Sequence, residues 1–318
     1  MPRADVPALV EAAQGGNARA VARLISLVED ASPRLRDVMA ALAPGTGRAY
    51  VIGITGAPGV GKSTTTSALV GALRATGRRV GVLAVDPSSP FSGGALLGDR
   101  VRMQDHALDP GVYIRSMASR GHLGGLAWST PQAIRVLDAA GCDVVLVETV
   151  GVGQSEVEIA SSADTTVVLL APGMGDAIQA AKAGILEIGD VYVVNKADRD
   201  GAHQVVRELR NMLALADRAD ADWKPPIVST VAVKGEGLDD LVAAIDRHRA
   251  WLESGGRLEA RRRERVADEI AAIAIGALRE RFADVAHDQR LEHLAARVLA
   301  GDTDPYAAAD ELVAGLTE

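Results

Sequence analysis

The stretch "YVIGITGAPGVGKSTT", residues 50–65, limits the possible folds more than any other part of the chain. An apolar run, a glycine-rich turn and then Lys62 and Ser63 satisfy G-x-x-x-x-G-K-[ST] in the order strand, loop, helix, with Gly56 and Gly61 as its glycines. Glycine lets the backbone curl so that successive N–H groups point inward, and a helix N-terminus adds the positive end of its dipole. Such a cradle suits nucleotide phosphates. Gly56, Ala57, Pro58, Gly59, Val60, Gly61, Lys62, Ser63 and Thr64 are therefore expected to line it. Lys62 would reach the β- and γ-phosphates, the Ser63 hydroxyl would ligate Mg²⁺, and Thr64 would continue the cradle.

A loop of this kind needs a parallel sheet behind it, and the following sequence supplies candidates. "YVIGIT", "RVGVLAVD", "GVYIRSM", "DVVLVE", "TTVVLLA", "VYVVNKAD" and "PIVSTVAV" alternate with helix-like segments near 62–76, 126–140, 176–188, 201–217 and 237–253. Several are apolar on both faces, as strands of a parallel sheet covered on both sides are. The pattern predicts a doubly wound, mostly parallel α/β domain over residues 46–253. Before it, Leu9, Val10, Ala13, Val21, Leu24, Ile25 and Val28 recur at helical spacing, which gives a helical extension over 1–45. After "ESGGR", Val266, Ile270, Ile273, Leu278 and Phe282 mark a long amphipathic helix and "DTDPYAAADELVAGL" another, a helical arm over 254–318. The apolar stripe of that arm either packs on the main domain or joins two copies of the chain.

Composition agrees with this architecture and narrows the partners. In 318 residues, 48% apolar but only 3% aromatic, the core must be built from Ala, Val, Leu and Ile. A net charge of -8 and a pI near 5.4 argue against a general nucleic-acid or anionic-membrane binder. The basic run "RRRER" at 261–265 reads as a solvated helix face or an interface rim. A single cysteine, Cys142, excludes an internal disulfide and a multi-cysteine metal site. With no signal-like start and no uninterrupted run of ~18 apolar residues, a cytoplasmic protein with no membrane span is expected.

The base is indicated by "VYVVNKAD", in which Asn195, Lys196 and Asp198 form N-K-x-D. An aspartate there accepts hydrogen bonds from guanine N1–H and the N2 amino group, a donor pair that adenine lacks. Charge-assisted hydrogen bonds contribute ~1.5–3 kcal/mol each, so two favour GTP over ATP by roughly a few hundredfold. "STVAVKGEGLDDL" follows where a guanine-capping loop is expected, with the backbone N–H groups of Val231, Ala232 and Val233 directed at O6. It lacks the Ser-Ala pair that many G proteins use.

Three acids stand where strands or glycine loops release them: Asp86, Asp99 and Glu148. A strand-end aspartate is often only a cap, but parallel strands deliver their C-terminal ends to one crevice. With Lys62 these acids form the expected catalytic and Mg²⁺ site, some acting through water. In "VETVGVGQSE", Glu148 replaces the commoner aspartate, Gly151 offers its N–H to the γ-phosphate, and Val152 stands where a water-positioning glutamine is common. Gln154 is not assigned that job. Slow intrinsic hydrolysis, accelerated by a partner, is the expectation.

"GAPGVGKST", "VDPSSPFSGGALLGDRVRM", "VETVGVGQSE", "APGMGDAIQAAKAGILEI", "NKAD" and "DPYAAADELV" together resemble the methylmalonyl-CoA mutase-associated GTPases, the MeaB/ArgK type, over nearly the whole chain. The resemblance implies a homodimeric P-loop GTPase using GTP/GDP and Mg²⁺. It further implies docking on an adenosylcobalamin-dependent acyl-CoA mutase, where it gates cofactor loading and protects the mutase. Within "PGMGDAIQAAKAG", Asp176 and Lys182 become candidates for relaying partner contact, or else a helix cap and a surface lysine. Alternatives from other classes are a metallochaperone-type GTPase, a P-loop kinase or transport-linked ATPase, and a nucleotide-dependent scaffold with negligible turnover. Soft ligands at metal spacing would favour the first and preferential ATP use the second.

Overall fold

The computed structural model describes residues 5–86, 103–106, 108–118, 129–149, 155–173, 187–215, 222–281 and 289–314. Seven strands are β1 (Tyr50–Gly56), β2 (Val80–Asp86), β3 (Val112–Ala118), β4 (Val144–Glu148), β5 (Thr165–Leu170), β6 (Val191–Asn195) and β7 (Ile227–Thr230). They form one sheet in the order β3-β2-β4-β1-β5-β6-β7, every pairing parallel. β1 therefore lies between β4 and β5, and the crevice at its C-terminal end is where a doubly wound sheet places its ligand.

Side-chain alternation divides the core between the two faces. Val51, Leu83, Val85, Val145 and Val147 point to one side, where they pack against α1 (Val6–Gln14), α2 (Ala18–Glu29), α3 (Leu35–Leu42) and α5 (Thr130–Ala139). The expected N-terminal extension is thus three helices that share this core. Ile52, Ile54, Val80, Val82, Leu146, Val167 and Val193 point the other way, onto α4 (Lys62–Ala75) and α8 (Leu238–Ser254). Burying a Val or Leu contributes ~1.5–3 kcal/mol, so strands apolar on both faces hold helices on both. At the far edge Tyr192, Val194, Leu170 and Leu209 make a third cluster with α7 (Ala202–Leu215). α6 (Ser155–Ser162) contributes Ile159 to the first of these clusters.

Some boundaries differ from the expected ones. The strand expected over "PIVSTVAV" ends at Thr230, and Ala232–Lys234 turn as a 3₁₀ helix. There the Ala232 N–H donates to the Asn195 side chain instead of continuing a ladder, and the Lys234 N–H donates to the Val231 carbonyl at 2.8 Å. The helix expected from 126 starts at Thr130, with Pro131 in its first turn, where a proline fits best. Most of the helix expected at 176–188 lies outside the described residues.

The chain divides into two units, Met1–Glu259 and Ala260–Glu318. α9 (Arg257–Arg281) enters the second, which also holds α10 (Gln289–Ala300) and α11 (Pro305–Ala314). α10 and α11 pack through Leu294, Val298, Ala308 and Leu312, with an Arg297–Glu311 ion pair at 2.9 Å beside them. The long amphipathic helix is present as expected, although Phe282 lies outside the described residues. Among the described residues no helix is long and apolar enough to cross a membrane.

Candidate nucleotide site

The loop between β1 and α4 is held in its curl by two close approaches. Gly56 has φ 141°, and a Cβ there would fall 2.3 Å from the Leu169 carbonyl oxygen of neighbouring β5. Gly61, the residue that precedes α4, has φ 99°, and its Cβ would fall 2.4 Å from Asn195 Nδ2. Lys62 and Ser63 open α4 and are buried. Lys62 Nζ donates back to the loop, to the carbonyls of Gly56 at 2.6 Å and Ala57 at 3.2 Å. These two carbonyls are neutral acceptors, which an anionic oxygen would outcompete.

Glu148 arrives from β4, which pairs β1 with Ile54 opposite Glu148. Only 4% exposed, its Oε1 accepts from Ser63 Oγ at 2.7 Å. Beside it the Thr149 N–H donates to the Ile54 carbonyl at 3.1 Å, and its hydroxyl to Thr55 Oγ1 at 3.2 Å, fixing the exit of β4 against β1. Thr149 was not foreseen from sequence. Lys62, Ser63 and Glu148, expected to cooperate, are therefore together. The backbone of Asp86 ends β2, two residues beyond the Ala84 that pairs with Glu148. Asp99, Gly151, Val152, Gln154, Asp176 and Lys182 lie outside the described residues. Ser63 and Glu148 supply only oxygen donors, which fits a hard cation such as Mg²⁺.

On the other side of the crevice Asn195 is buried at the end of β6. Its Nδ2 donates to the Val60 carbonyl at 2.9 Å, while Oδ1 accepts from Thr230 Oγ1 and from the Ala232 N–H, both at 3.2 Å. Lys196 takes a left-handed backbone, φ 58°, and its Nζ donates to the Gly59 carbonyl at 2.7 Å. The first two residues of "NKAD" thereby tie three loops together. The last, Asp198, stands at the exposed rim, where it pairs with Lys234. Lys234, its first and strongest influence, holds the Asp198 carboxyl below the usual carboxylate range.

The capping loop is narrower than expected. The Val231 N–H already donates to the Glu236 carbonyl at 3.0 Å, and the Ala232 N–H is committed to Asn195. Val233 is left as the candidate donor toward a base, its side chain exposed. Thr230 and Lys234 were missed by sequence reasoning, since a hydroxyl in a strand and a lysine in a turn carry no spacing signal.

A sequence model described as "Methylmalonyl Co-A mutase-associated GTPase MeaB" matches residues 21–287. The chain is 49% identical over 307 residues to a putative GTPase of Pyrococcus abyssi, covering 96% of this chain and 95% of that one. The GTPase ArgK of Escherichia coli is 39% identical, over 77% of this chain and 76% of its own. A crystal structure of LAO/AO transport system kinase matches with a TM-score of 0.74 and 27% identity, covering 100% of this chain and 99% of that one. A family match over most of the chain, on a sheet that brings a P-loop and an N-K-x-D loop to one crevice, means that this protein belongs to the methylmalonyl-CoA mutase-associated, guanine-nucleotide-binding GTPases of the MeaB family.

Proposed function

We propose that this protein is a GTP-switched chaperone of an adenosylcobalamin-dependent acyl-CoA mutase, with methylmalonyl-CoA mutase the first partner to test. In this reading it gates cofactor loading and protects the mutase, and it hydrolyses GTP slowly until the partner docks. The observation that carries the nucleotide part is the weld between phosphate cradle and base loop, Asn195 to Val60 and Lys196 to Gly59. Through it a guanine read at Asp198 and a triphosphate held at Lys62 belong to one pocket. Family membership carries the partner part, supported by a mouse relative, 36% identical over 78% of this chain and 64% of its own, named methylmalonic aciduria type A homolog.

The residues have separable tasks. Backbone N–H groups of 56–64 take the phosphates, and Lys62 exchanges its two carbonyls for β- and γ-oxygens. Ser63 and Glu148 would hold Mg²⁺, with Asp86 and Asp99 as further acids and Gly151 offering its N–H to the γ-phosphate. When bound, the ion neutralises charge that builds up as the γ-phosphate departs. Val152 provides no side chain to orient water, which accounts for slow turnover in isolation; in other GTPases an activating partner contributes ~10³–10⁵-fold. Residues 1–45, 46–253 and 254–318 are assigned as helical extension, GTPase domain and arm, and the working compartment as the cytoplasm. On the arm, Val266, Ile270, Ile273 and Leu278 stay 43–62% exposed, and we assign this stripe to homodimer contact.

Co-purification from the native host, followed by GTP and ATP turnover with and without the captured protein, tests the reading. A captured mutase that accelerates GTP hydrolysis is the expected result. Preferential ATP hydrolysis, or no mutase among the captured proteins, overturns it.

A further inference from the structure

Asp198 and Lys234 meet at 3.1 Å across 36 positions of sequence, with side chains 41% and 52% exposed. Each hangs from a loop that is fixed elsewhere. Asp198 follows Asn195 and Lys196, both bonded to the phosphate loop, and the Ala197 N–H between them donates to the Thr230 carbonyl at 3.0 Å. Lys234 closes the Ala232–Lys234 turn, which is pinned by the Val231 N–H to Glu236, the Lys234 N–H to Val231 and the Ala232 N–H to Asn195. Both anchors thus pass through Asn195, and they hold the two backbones that carry the charges at a fixed spacing. Exposed ion pairs are weak largely because two long side chains must be immobilised. Here the loops fix the two backbones, so that only the side-chain torsions are left to order.

We propose that Lys234 is a positioning residue for guanine recognition, its ammonium orienting the Asp198 carboxylate toward the N1–H and N2 amino donors of the base. The inference rests on the assignment of Asp198 as the base reader. An ionised carboxylate has about four acceptor sites, so Oδ2 can receive Lys234 and still share the two guanine donors with Oδ1. The role falls to Lys234 in a capping loop, "TVAVKGEG", that lacks a Ser-Ala pair. The charges around the pair have the same sense. Asp198 is faced by Lys234 first and Arg199 more weakly, both of which lower its pKa, and Lys234 is faced by Asp198 and Glu236, which raise its own. The carboxylate accordingly stays ionised to lower pH than it would alone, and base recognition persists on the acid side.

The test uses the full chain and three variants, Lys234→Met, Lys234→Arg and Asp198→Asn. Each is titrated with GDP, ADP and IDP, whose hypoxanthine lacks the 2-amino group, and assayed for GTP kcat and KM across pH. Lys234→Met is expected to weaken GDP binding by about 3–5-fold and to raise KM for GTP at unchanged kcat. It should also narrow the preference for GDP over IDP and move the acid limit of binding to higher pH, while Lys234→Arg restores all of these. Wild-type GDP affinity, GDP/IDP ratio and pH profile in Lys234→Met overturn the proposal. Tighter GDP binding also overturns it, because Lys234 would then obstruct the base. An Asp198→Asn variant that keeps its preference for GDP over ADP overturns the base-reading assignment itself. Loss of that preference alongside a wild-type-like Lys234→Met removes Lys234 alone.

Discussion

The two ends of the sheet both bury polar groups, and they use them in opposite ways. At the C-terminal end Lys62, Asn195 and Lys196 donate to carbonyls of the phosphate loop, at Gly56, Val60 and Gly59. At the N-terminal end the partners are mostly one another. Tyr50 opens β1 and its hydroxyl meets Thr165 Oγ1 at 2.5 Å; Thr165 opens β5 and meets His248 Nδ1 at 2.8 Å. Asp190, just before β6, lies 3.5 Å from His248 Nε2 and also accepts from the Thr166 N–H at 2.8 Å. Trp223 and Trp251 cover His248, with ring centroids 4.8 and 5.8 Å away, and Arg257 lies 4.5 Å over Trp251. A chain with only 3% aromatics concentrates three of them here. One end holds groups that can exchange partners with a ligand; the other is sealed, and its burial pushes the Tyr50 hydroxyl pKa upward.

The contrast predicts that substitutions at the two ends separate activity from stability. Lys62→Ala is the largest expected effect on function, a loss of about 10³-fold in GTP kcat/KM with a melting temperature close to wild type. Steady-state turnover beside a thermal melt checks it, and near-normal turnover would remove Lys62 from the site. His248→Ala should do the reverse. It empties a fully buried position and leaves Thr165 without its ring partner, so chemical denaturation should show about 2–4 kcal/mol of lost stability. GTP turnover per folded molecule should stay near wild type.

Asn195→Ala sits between these extremes, because its side chain is both core and site. We expect about tenfold weaker GDP binding and about 1–3 kcal/mol of destabilisation from the carbonyl and N–H left behind. A calorimetric titration and a denaturation curve on the same preparation would read both, and a change in only one would sharpen the contrast into two separate networks.

The smallest effect is at Cys142, which leads into β4 at the N-terminal end of the sheet, in the core beneath α5 and on the opposite face from Tyr50. Burial, the largest cause, pushes its thiol from the ordinary 9.0 up to about 12, with Arg79 pulling partly back. The folded chain keeps this proton to higher pH than the unfolded chain does. Its contribution is therefore complete below about pH 9 and declines as pH rises toward 12. Cys142→Ala should flatten the alkaline fall in stability by about 1 kcal/mol at pH 10. The fall would not vanish, since the raised Tyr50 acts in the same direction. An alkaline limb identical to wild type would mean that the thiol is solvated.

Much of this was legible from residue order. The seven strands, the helix opening at Lys62 and the placement of Glu148 beside Ser63 follow from apolar runs that end in chemistry-bearing residues. Less legible were the groups whose role depends on a distant partner. Asn195 reads as part of a base motif, yet in the fold it bonds a carbonyl 135 positions earlier. His248 is one of six histidines and nothing in its helix marks it for Thr165, 83 positions away.

Local sequence determined the phosphate-loop motif, the parallel α/β order and the guanine motif, because glycine conformation, strand periodicity and side-chain chemistry act within a few residues. Tertiary structure alone decided which N–H groups of the capping loop are already spent, that Lys234 faces Asp198, and that the far end of the sheet is closed. Those outcomes depend on the register of parallel strands, which sets residues far apart in sequence at hydrogen-bonding distance, and no local propensity encodes that separation.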